Sequence, residues 1–160
     1  MLHLVLVEPE IHWNTGNLGR TALAAGAMLH LVEPLGFSLD DKHVRRAGLD
    51  YWPRVQRRTW PSWAALAAAL PSLGEAWYFS AAATRPYWDA TFGDDTVLVF
   101  GRESVGLPRA ILDGAGDHAL GIPMADRALR SLNVSTVGAL AAYEVVRQQR
   151  SRSRSATPAR

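Results

Sequence analysis

Three polar, glycine-containing loops carry the side chains that can do chemistry in this sequence. They span residues 8–20 (EPEIHWNTGNLGR), 100–108 (FGRESVGLP) and 121–133 (GIPMADRALRSLN), and each follows an apolar segment. In parallel α/β sheets, ligands bind at the carboxyl ends of strands, where such loops gather. Glycine lets the backbone approach a ligand closely. Three such loops in one small domain are more than chain reversal needs, so they predict a ligand site.

The common motifs of other enzyme classes are missing from the sequence. It contains no G-x-G-x-x-G, no G-x-x-x-x-G-K-[ST] and no G-x-S-x-G, which argues against dinucleotide binding, phosphoryl transfer and serine hydrolysis. The five histidines lie outside metal-ligand spacing, and there is no cysteine to act as a nucleophile or a metal ligand. We therefore expect no metal.

Several polar residues stand where loops meet predicted helices. Asn14, Ser131 and Asn133 are residue types that commonly cap helices, so capping is the simpler interpretation for each taken alone. Arg20 is by itself compatible with an ordinary helix surface. Glu103 is placed either to pair with Arg20 or to hold a hydrogen-bond donor of a substrate, and the sequence does not choose between these roles.

Apolar runs and helical patterns predict the elements that must position these loops. Buried strands are predicted at 2–7, 28–32, 76–80, 96–100 and 118–122, and helices or helical turns at 20–26, 38–48, 61–70, 108–112 and 131–149. Strands that alternate with helices predict an α/β domain with a mainly parallel sheet. We expect one domain over residues 1–150, followed by a disordered basic tail over 151–160.

Composition limits the classes of function. The chain has 160 residues and a formal net charge of +2. Two segments are basic, because residues 42–58 carry six Lys or Arg and residues 144–160 carry five Arg against one Glu. Such segments are typical of a polyanion-binding surface or of solvated loops. No apolar run reaches the roughly 18 residues that a membrane span needs, and the first residues resemble a core strand more than a signal peptide. We expect a cytoplasmic protein.

The last predicted helix is apolar over more than one face, which favours a homodimer. Its apolar residues must be covered on nearly all sides, and a second subunit is a natural cover in so small a domain. Gly138 would let the second subunit approach closely, and Tyr143 is a candidate for the dimer interface. A core position for Tyr143 is an equal alternative.

At the three loops the sequence resembles the SpoU/TrmD superfamily of trefoil-knotted methyltransferases. The pattern N-x-G-N-x-x-R is present from Asn14 to Arg20, and Gly101, Glu103 and the tripeptide at 106–108 form the second motif. The third motif is Ile-Pro-Met at 122–124, followed by Arg-Ser-Leu-Asn at 130–133. Residues 33–52 are similar to a segment of the TrmL-like branch, which methylates the wobble nucleotide of tRNA. The resemblance runs from residue 1 to about 149.

The resemblance implies a fold, a reaction and roles for the motif residues. The fold would be an α/β knot with a deeply threaded C-terminal segment, in a homodimer. The reaction would be S-adenosylmethionine-dependent 2′-O-methylation of the cytidine or uridine ribose at position 34, in the anticodon stem-loop of tRNA. The implied catalytic residues are Arg20, Asn14, Ser131 and Asn133. The implied cofactor-binding residues are Phe79, Gly101, Glu103, Ile122, Met124, Ser131 and Leu132.

Two departures from the pattern and several alternatives remain. His12 and Trp13 stand where the branch usually has two prolines, and residues 125–129 are slightly longer than usual, so both departures bear on substrate preference. The alternatives are methylation of ribosomal RNA or of another tRNA ribose, a non-catalytic RNA-binding dimer, and an unrelated nucleotide-binding protein. Trp52 and Trp60 are candidates to stack on a flipped base, although ordinary packing is the simpler interpretation.

Overall fold

Strands and helices alternate along the chain. The structure, a computed structural model, describes residues 1–38, 50–126 and 128–155. The strands of this part are β1 (Leu2–Val7), β2 (Met28–Val32), β3 (Arg57–Trp60), β4 (Glu75–Phe79), β5 (Thr96–Phe100) and β6 (Ala119–Leu120). The α-helices are α1 (His12–Ala25), α2 (Trp63–Leu73), α3 (Arg109–Asp113) and α4 (Val134–Ser155).

The strands form one sheet in the order β3-β2-β1-β5-β4-β6, and every neighbouring pair is parallel. The predicted α/β class with a parallel sheet is therefore confirmed. β1 lies in the middle, where Val5 is opposite His30 on one side and Val99 on the other. All six residues of β1 are buried, as expected for a parallel strand that is covered on both faces.

The two faces of the sheet bury different helices. Alternate residues of a strand point to opposite faces, so Leu4 and Leu6 join a cluster with residues of α1 and α4, whereas Val5 and Val7 join a cluster with Leu66 of α2. On the first face, a Cβ added to Gly138 of α4 would lie 2.3 Å from Leu18 Cδ1 of α1. Gly138 therefore allows a close approach of α1 within one chain, whereas the sequence suggested the approach of a second subunit.

The first helix begins eight residues before its predicted start. The sequence TGNLG suggests a turn, but residues 14–19 are helical and largely buried. Gly19 packs under Trp52, whose Cζ3 would lie 2.5 Å from an added Cβ, and the Gly16 carbonyl accepts a hydrogen bond from Tyr51 Oη at 2.8 Å. These glycines thus serve close packing. The helix ends as predicted at Gly26, which has φ of 69°.

The structure also differs from the predictions at the edge strand β3 and at the end of α4. β3 was not predicted, because three of its four residues are exposed on an edge strand and two of them are arginines. α4 continues to Ser155, six residues beyond the predicted end of this helix, and residues 156–160 of the basic tail lie outside the described residues. Trp52 and Trp60 are buried, which supports packing over base stacking. The predicted helix at 38–48 also lies outside the described residues, apart from Ser38.

A chain of three buried aromatic side chains crosses the second face of the sheet. Trp60 Nε1 donates to His30 Nδ1 at 2.9 Å, and His30 Nε2 lies 2.9 Å from His3 Nδ1. An indole can only donate, so His30 Nδ1 is unprotonated and the neutral ring carries its proton on Nε2. Burial, together with the charges of His3 and Arg58, lowers the pKa of His30 to about 4.

This histidine makes stability depend on pH. The pKa of His30 is lowered from 6.5, so neutral His30 contributes about 3 kcal/mol to the free energy of unfolding above about pH 6.5. This contribution is lost as the pH falls towards 4. We expect the free energy of unfolding in urea to differ less between pH 7.5 and pH 4.5 for His30→Gln than for the wild type. An equal pH dependence in both proteins would exclude His30 as its source.

Candidate functional site

A cavity of about 700 Å³ opens at the carboxyl ends of three strands. Phe79, Phe100 and Leu120 are the last residues of β4, β5 and β6, and all three line it. The starts of α1 and α4 close its other side through Asn14 and Val134. This is where ligands bind in parallel α/β sheets, and the volume is in the range of small-molecule sites.

The cavity gathers nearly all of the predicted site residues. Those that line it are Asn14, Phe79, Gly101, Glu103, Ile122, Met124, Ser131, Leu132 and Asn133. They come from the three loops on which the prediction rested and from the end of β4. Arg130 also lines the cavity, although its place in the third motif was the only feature that singled it out.

The second loop is folded tightly against itself at Gly101. Arg102 and Gly106 exchange two backbone hydrogen bonds, of 3.1 and 2.9 Å. A Cβ on residue 101 would lie 2.1 Å from both the Gly106 carbonyl carbon and the Leu107 nitrogen. Only a glycine fits at this point, and residues 101–106 of the turn all line the cavity.

The third loop supplies apolar walls and is held against the segment after β4. The Gly121 N–H donates to the Arg85 carbonyl at 2.9 Å, and the Tyr87 N–H donates to the Gly121 carbonyl at 3.0 Å. Past this anchor the chain places Ile122 and Leu132, both partly buried, on the cavity wall. Apolar walls with nearby backbone donors and acceptors suit a flat heteroaromatic ring.

Glu103 joins the second loop to the start of α1. Its Oε2 accepts from the Glu10 N–H at 2.8 Å, and its Oε1 accepts from the Ile11 N–H at 3.3 Å and from Asn14 Nδ2 at 3.1 Å. No side chain of the first loop caps α1 at Ile11. The Glu103 carboxylate instead binds the two N–H groups just before the helix, where the helix dipole favours a negative charge.

The network continues from Asn14 into the third motif. Asn14 Oδ1 accepts from Asn133 Nδ2 at 2.7 Å, and Asn133 Oδ1 accepts from the Ser135 N–H and hydroxyl at 2.8 and 2.7 Å. Asn133 is thus the cap of α4 as well as a cavity residue. The capping interpretation of Asn133 is therefore confirmed, and its site role stays a prediction.

Two further contacts between the first and second loops were not predicted. Glu10 accepts from the Ser104 N–H and hydroxyl, at 2.9 and 2.8 Å, and Glu8 forms an ion pair with Arg102. Glu8 has φ of 52°, a left-handed conformation that costs a non-glycine residue roughly 1–2 kcal/mol. The signal in the sequence was the pair of glutamates spaced two apart after β1, opposite an Arg and a Ser of the second loop.

Arg20 lies apart from the other predicted site residues. It is exposed on α1, and its guanidinium lies 4.5 Å from the centre of the Tyr51 ring. It does not line the cavity formed by the described residues, and the Glu103 carboxylate, one predicted partner, is bonded to the start of α1 instead. Arg20 is therefore exposed to solvent along α1 and does not belong to the lining of the cavity.

The contacts of Glu103 predict a structural cost when it is removed. Glu103→Ala leaves two backbone N–H groups and the Asn14 amide without their acceptor, so we expect unfolding free energy to fall by about 2–3 kcal/mol in urea titrations. Val105→Ala, in the same loop and 73% exposed, is the control and should cost less than about 1 kcal/mol. Equal costs for the two variants would contradict the role of Glu103 at the start of α1.

Neither a metal cluster nor a membrane-spanning helix occurs in the described part of the chain. Among its residues, no group of three or more His, Asp or Glu could hold a metal ion. Within the same residues no helix is both long enough and apolar enough to cross a membrane.

Comparison with known proteins identifies the family. Residues 1–143 match the family model of the SpoU rRNA Methylase family. A tRNA (cytidine(34)-2'-O)-methyltransferase of Acidovorax sp. (strain JS42) is 44% identical over 150 residues, which cover 92% of this chain and 92% of that protein. A solved structure described as giving structural insights into the 2-OH methylation of C/U34 on tRNA is 46% identical, with a TM-score of 0.86, and the match covers 94% of this chain and 97% of that chain.

A more distant structure carries a bound cofactor. The SpoU methyltransferase AviRb from Streptomyces viridochromogenes, solved in complex with AdoMet, is 25% identical with a TM-score of 0.81, over 94% of this chain and 61% of AviRb. The family match spans nearly the whole chain, and the cavity is built from the motifs that suggested the same family. The chain therefore belongs to the SpoU rRNA Methylase family.

Proposed function

We propose that the protein transfers a methyl group from S-adenosylmethionine to the ribose 2′-hydroxyl of the cytidine or uridine at position 34 of tRNA. The observation that carries this proposal is the near-full-length likeness, above 40% identity, to proteins named for that reaction. The cavity supports it, because every predicted cofactor-binding residue lines one space. Action on tRNA also favours a cytoplasmic protein.

The residues around the cavity fit the cofactor. Ile122 and Leu132 would flank the adenine ring, and the backbone beside Gly101 would approach the ligand where a Cβ has no room. When bound, the cofactor supplies a methyl group on a positively charged sulfur, so the transfer needs no metal. Asn14 and Asn133 hold the three loops in one arrangement, which keeps the two substrates in line.

Arg20 would act on the RNA backbone. A guanidinium stays protonated at neutral pH and is a poor general base, but it binds a phosphate through two parallel hydrogen bonds. Its stacking on Tyr51 fixes the side chain on the exposed face of α1. We assign to Arg20 the phosphate next to the methylated ribose, with the hydroxyl proton leaving through a phosphate oxygen.

The unpartnered face of α4 favours a homodimer. Leu140 and Tyr143 are 39% and 51% exposed on this helix, so the exposed position of Tyr143 fits the interface interpretation better than a core position. Sedimentation equilibrium tests the proposal, since a homodimer has twice the 17.5 kDa mass of the chain. The deep C-terminal knot implied by the resemblance also stays a prediction.

The function is tested by incubating the protein with tRNA and S-adenosylmethionine and analysing the nucleosides by mass spectrometry. We expect a new 2′-O-methylated pyrimidine that maps to position 34 and is absent with Arg20→Ala. No product on tRNA, with cofactor binding intact by calorimetry, would contradict the substrate. The same assay on ribosomal RNA would then test the second candidate, which the family description favours.

A further inference from the structure

Two exposed aromatic side chains stand at the start of α1, beside the cavity. Trp13 is 52% exposed, and its ring centre lies 4.6 Å from that of His12. The ring centre of Phe37, a partly buried side chain, lies 6.3 Å from that of His12. A half-exposed Trp forgoes much of the stabilisation that burial supplies. An exposed aromatic cluster of this kind is typical of a binding surface.

The cluster is continuous with the cavity at one end and with Arg20 at the other. Ile11 and Asn14, which flank the pair in the chain, both line the cavity. Trp13, Asn17 and Arg20 are exposed at positions i, i+4 and i+7 and so share one face of the helix. With a rise of 1.5 Å per residue, Trp13 and Arg20 are roughly 10 Å apart along α1.

We propose that Trp13, supported by His12, stacks on an unpaired base of the substrate RNA next to the methylated nucleotide. The inference rests on the proposed function, since it takes the substrate to be a single-stranded RNA loop. Unpaired bases are recognised by stacking on aromatic side chains. One face of α1 then offers both groups that a single strand requires, an aromatic ring for a base and, at Arg20, a guanidinium for a phosphate.

The test compares two tryptophans of equal exposure. Trp88, in the turn Tyr87–Asp89, is 53% exposed and serves as the matched control. We expect Trp13→Ala to raise the KM and Kd for a tRNA transcript roughly 5- to 100-fold, with kcat, cofactor affinity and sedimentation mass unchanged. Trp88→Ala should behave as the wild type, and Trp13→Phe should recover most of the affinity.

Each outcome points to a different role for Trp13. If Trp13→Ala binds tRNA as Trp88→Ala does, the stacking proposal is wrong. A fall in sedimentation mass would also overturn it and assign the face to a subunit contact. A wild-type protein that methylates no tRNA would instead contradict the proposed function, which the stacking role requires.

A second measurement identifies the stacked base and stands even where Trp13→Ala loses stability. Anticodon stem-loop RNAs are prepared with an abasic nucleotide at either neighbour of the methylated position. We expect the wild type to lose affinity for one of the two RNAs, and Trp13→Ala to bind that RNA and the intact loop equally. The same loss in both proteins would show that the base is held elsewhere.

Discussion

Gly101→Ala is expected to abolish cofactor binding. A methyl group at residue 101 would lie 2.1 Å from backbone atoms of Gly106 and Leu107, a separation at which the two stretches of backbone must move apart. The reciprocal hydrogen bonds between Arg102 and Gly106 hold that loop closed, so the movement distorts the wall of the cavity. Titration calorimetry should show affinity for S-adenosylmethionine weakened by at least about 100-fold, or roughly 3 kcal/mol.

Gly93→Ala is the matched control for this substitution. A Cβ at residue 93 meets no atom within 4 Å, so the same chemical change is expected to leave affinity as in the wild type. Circular dichroism should show that both variants are folded. Cofactor binding by Gly101→Ala as tight as by Gly93→Ala would exclude this loop from the cofactor site.

Arg20→Ala is expected to lower kcat/KM for tRNA by about 10³-fold or more while leaving cofactor affinity unchanged. The guanidinium lies outside the cavity, so its removal should spare the cofactor, whereas the loss of a charged group that aligns the reacting hydroxyl reduces the rate steeply. Arg20→Lys should retain measurable but much weaker activity, because an ammonium keeps the charge and loses the two-pronged geometry.

The control for Arg20 is Arg152, which lies near the amino end of β5, whereas the cavity lies at the carboxyl ends of the strands. Arg152 is exposed and pairs with Asp94, just before β5 begins, so Arg152→Ala should change activity little. Full activity in Arg20→Lys would contradict bidentate phosphate binding. A loss of cofactor affinity in Arg20→Ala would mean that Arg20 acts through the fold of α1.

The residues that form the site can be predicted from the sequence better than the hydrogen bonds that join them. Apolar runs locate five of the six described strands within one or two residues, because the hydrophobic character of these strands shows directly, and only β3 among them was not predicted. The motifs then name the loops that meet at the carboxyl edge. The partners of Glu103 could not be predicted, since they are backbone groups of Glu10 and Ile11, about ninety residues away. Nothing in local composition records such a contact.

Errors in the predicted elements have physical causes. The glycines of α1 suggest a turn because glycine weakens an isolated helix, yet Gly19 is required by Trp52, which comes from a distant segment. β3 was not predicted, because an exposed edge strand does not require an apolar pattern. Two of its residues, Arg57 and Arg58, are charged and do not suggest a buried strand. In both cases tertiary contacts override local propensity.

The central place of β1 has a consequence for how the protein is made. β1 leaves the ribosome well before its neighbour β5, and the contact from Asn14 to Asn133 joins residues 119 apart. At about 5–20 residues per second, a nascent chain carries an apolar strand with one open edge for several seconds. Open edges invite association with other chains. Substitutions that slow the docking of β5 should therefore reduce the yield of protein before they reduce its activity.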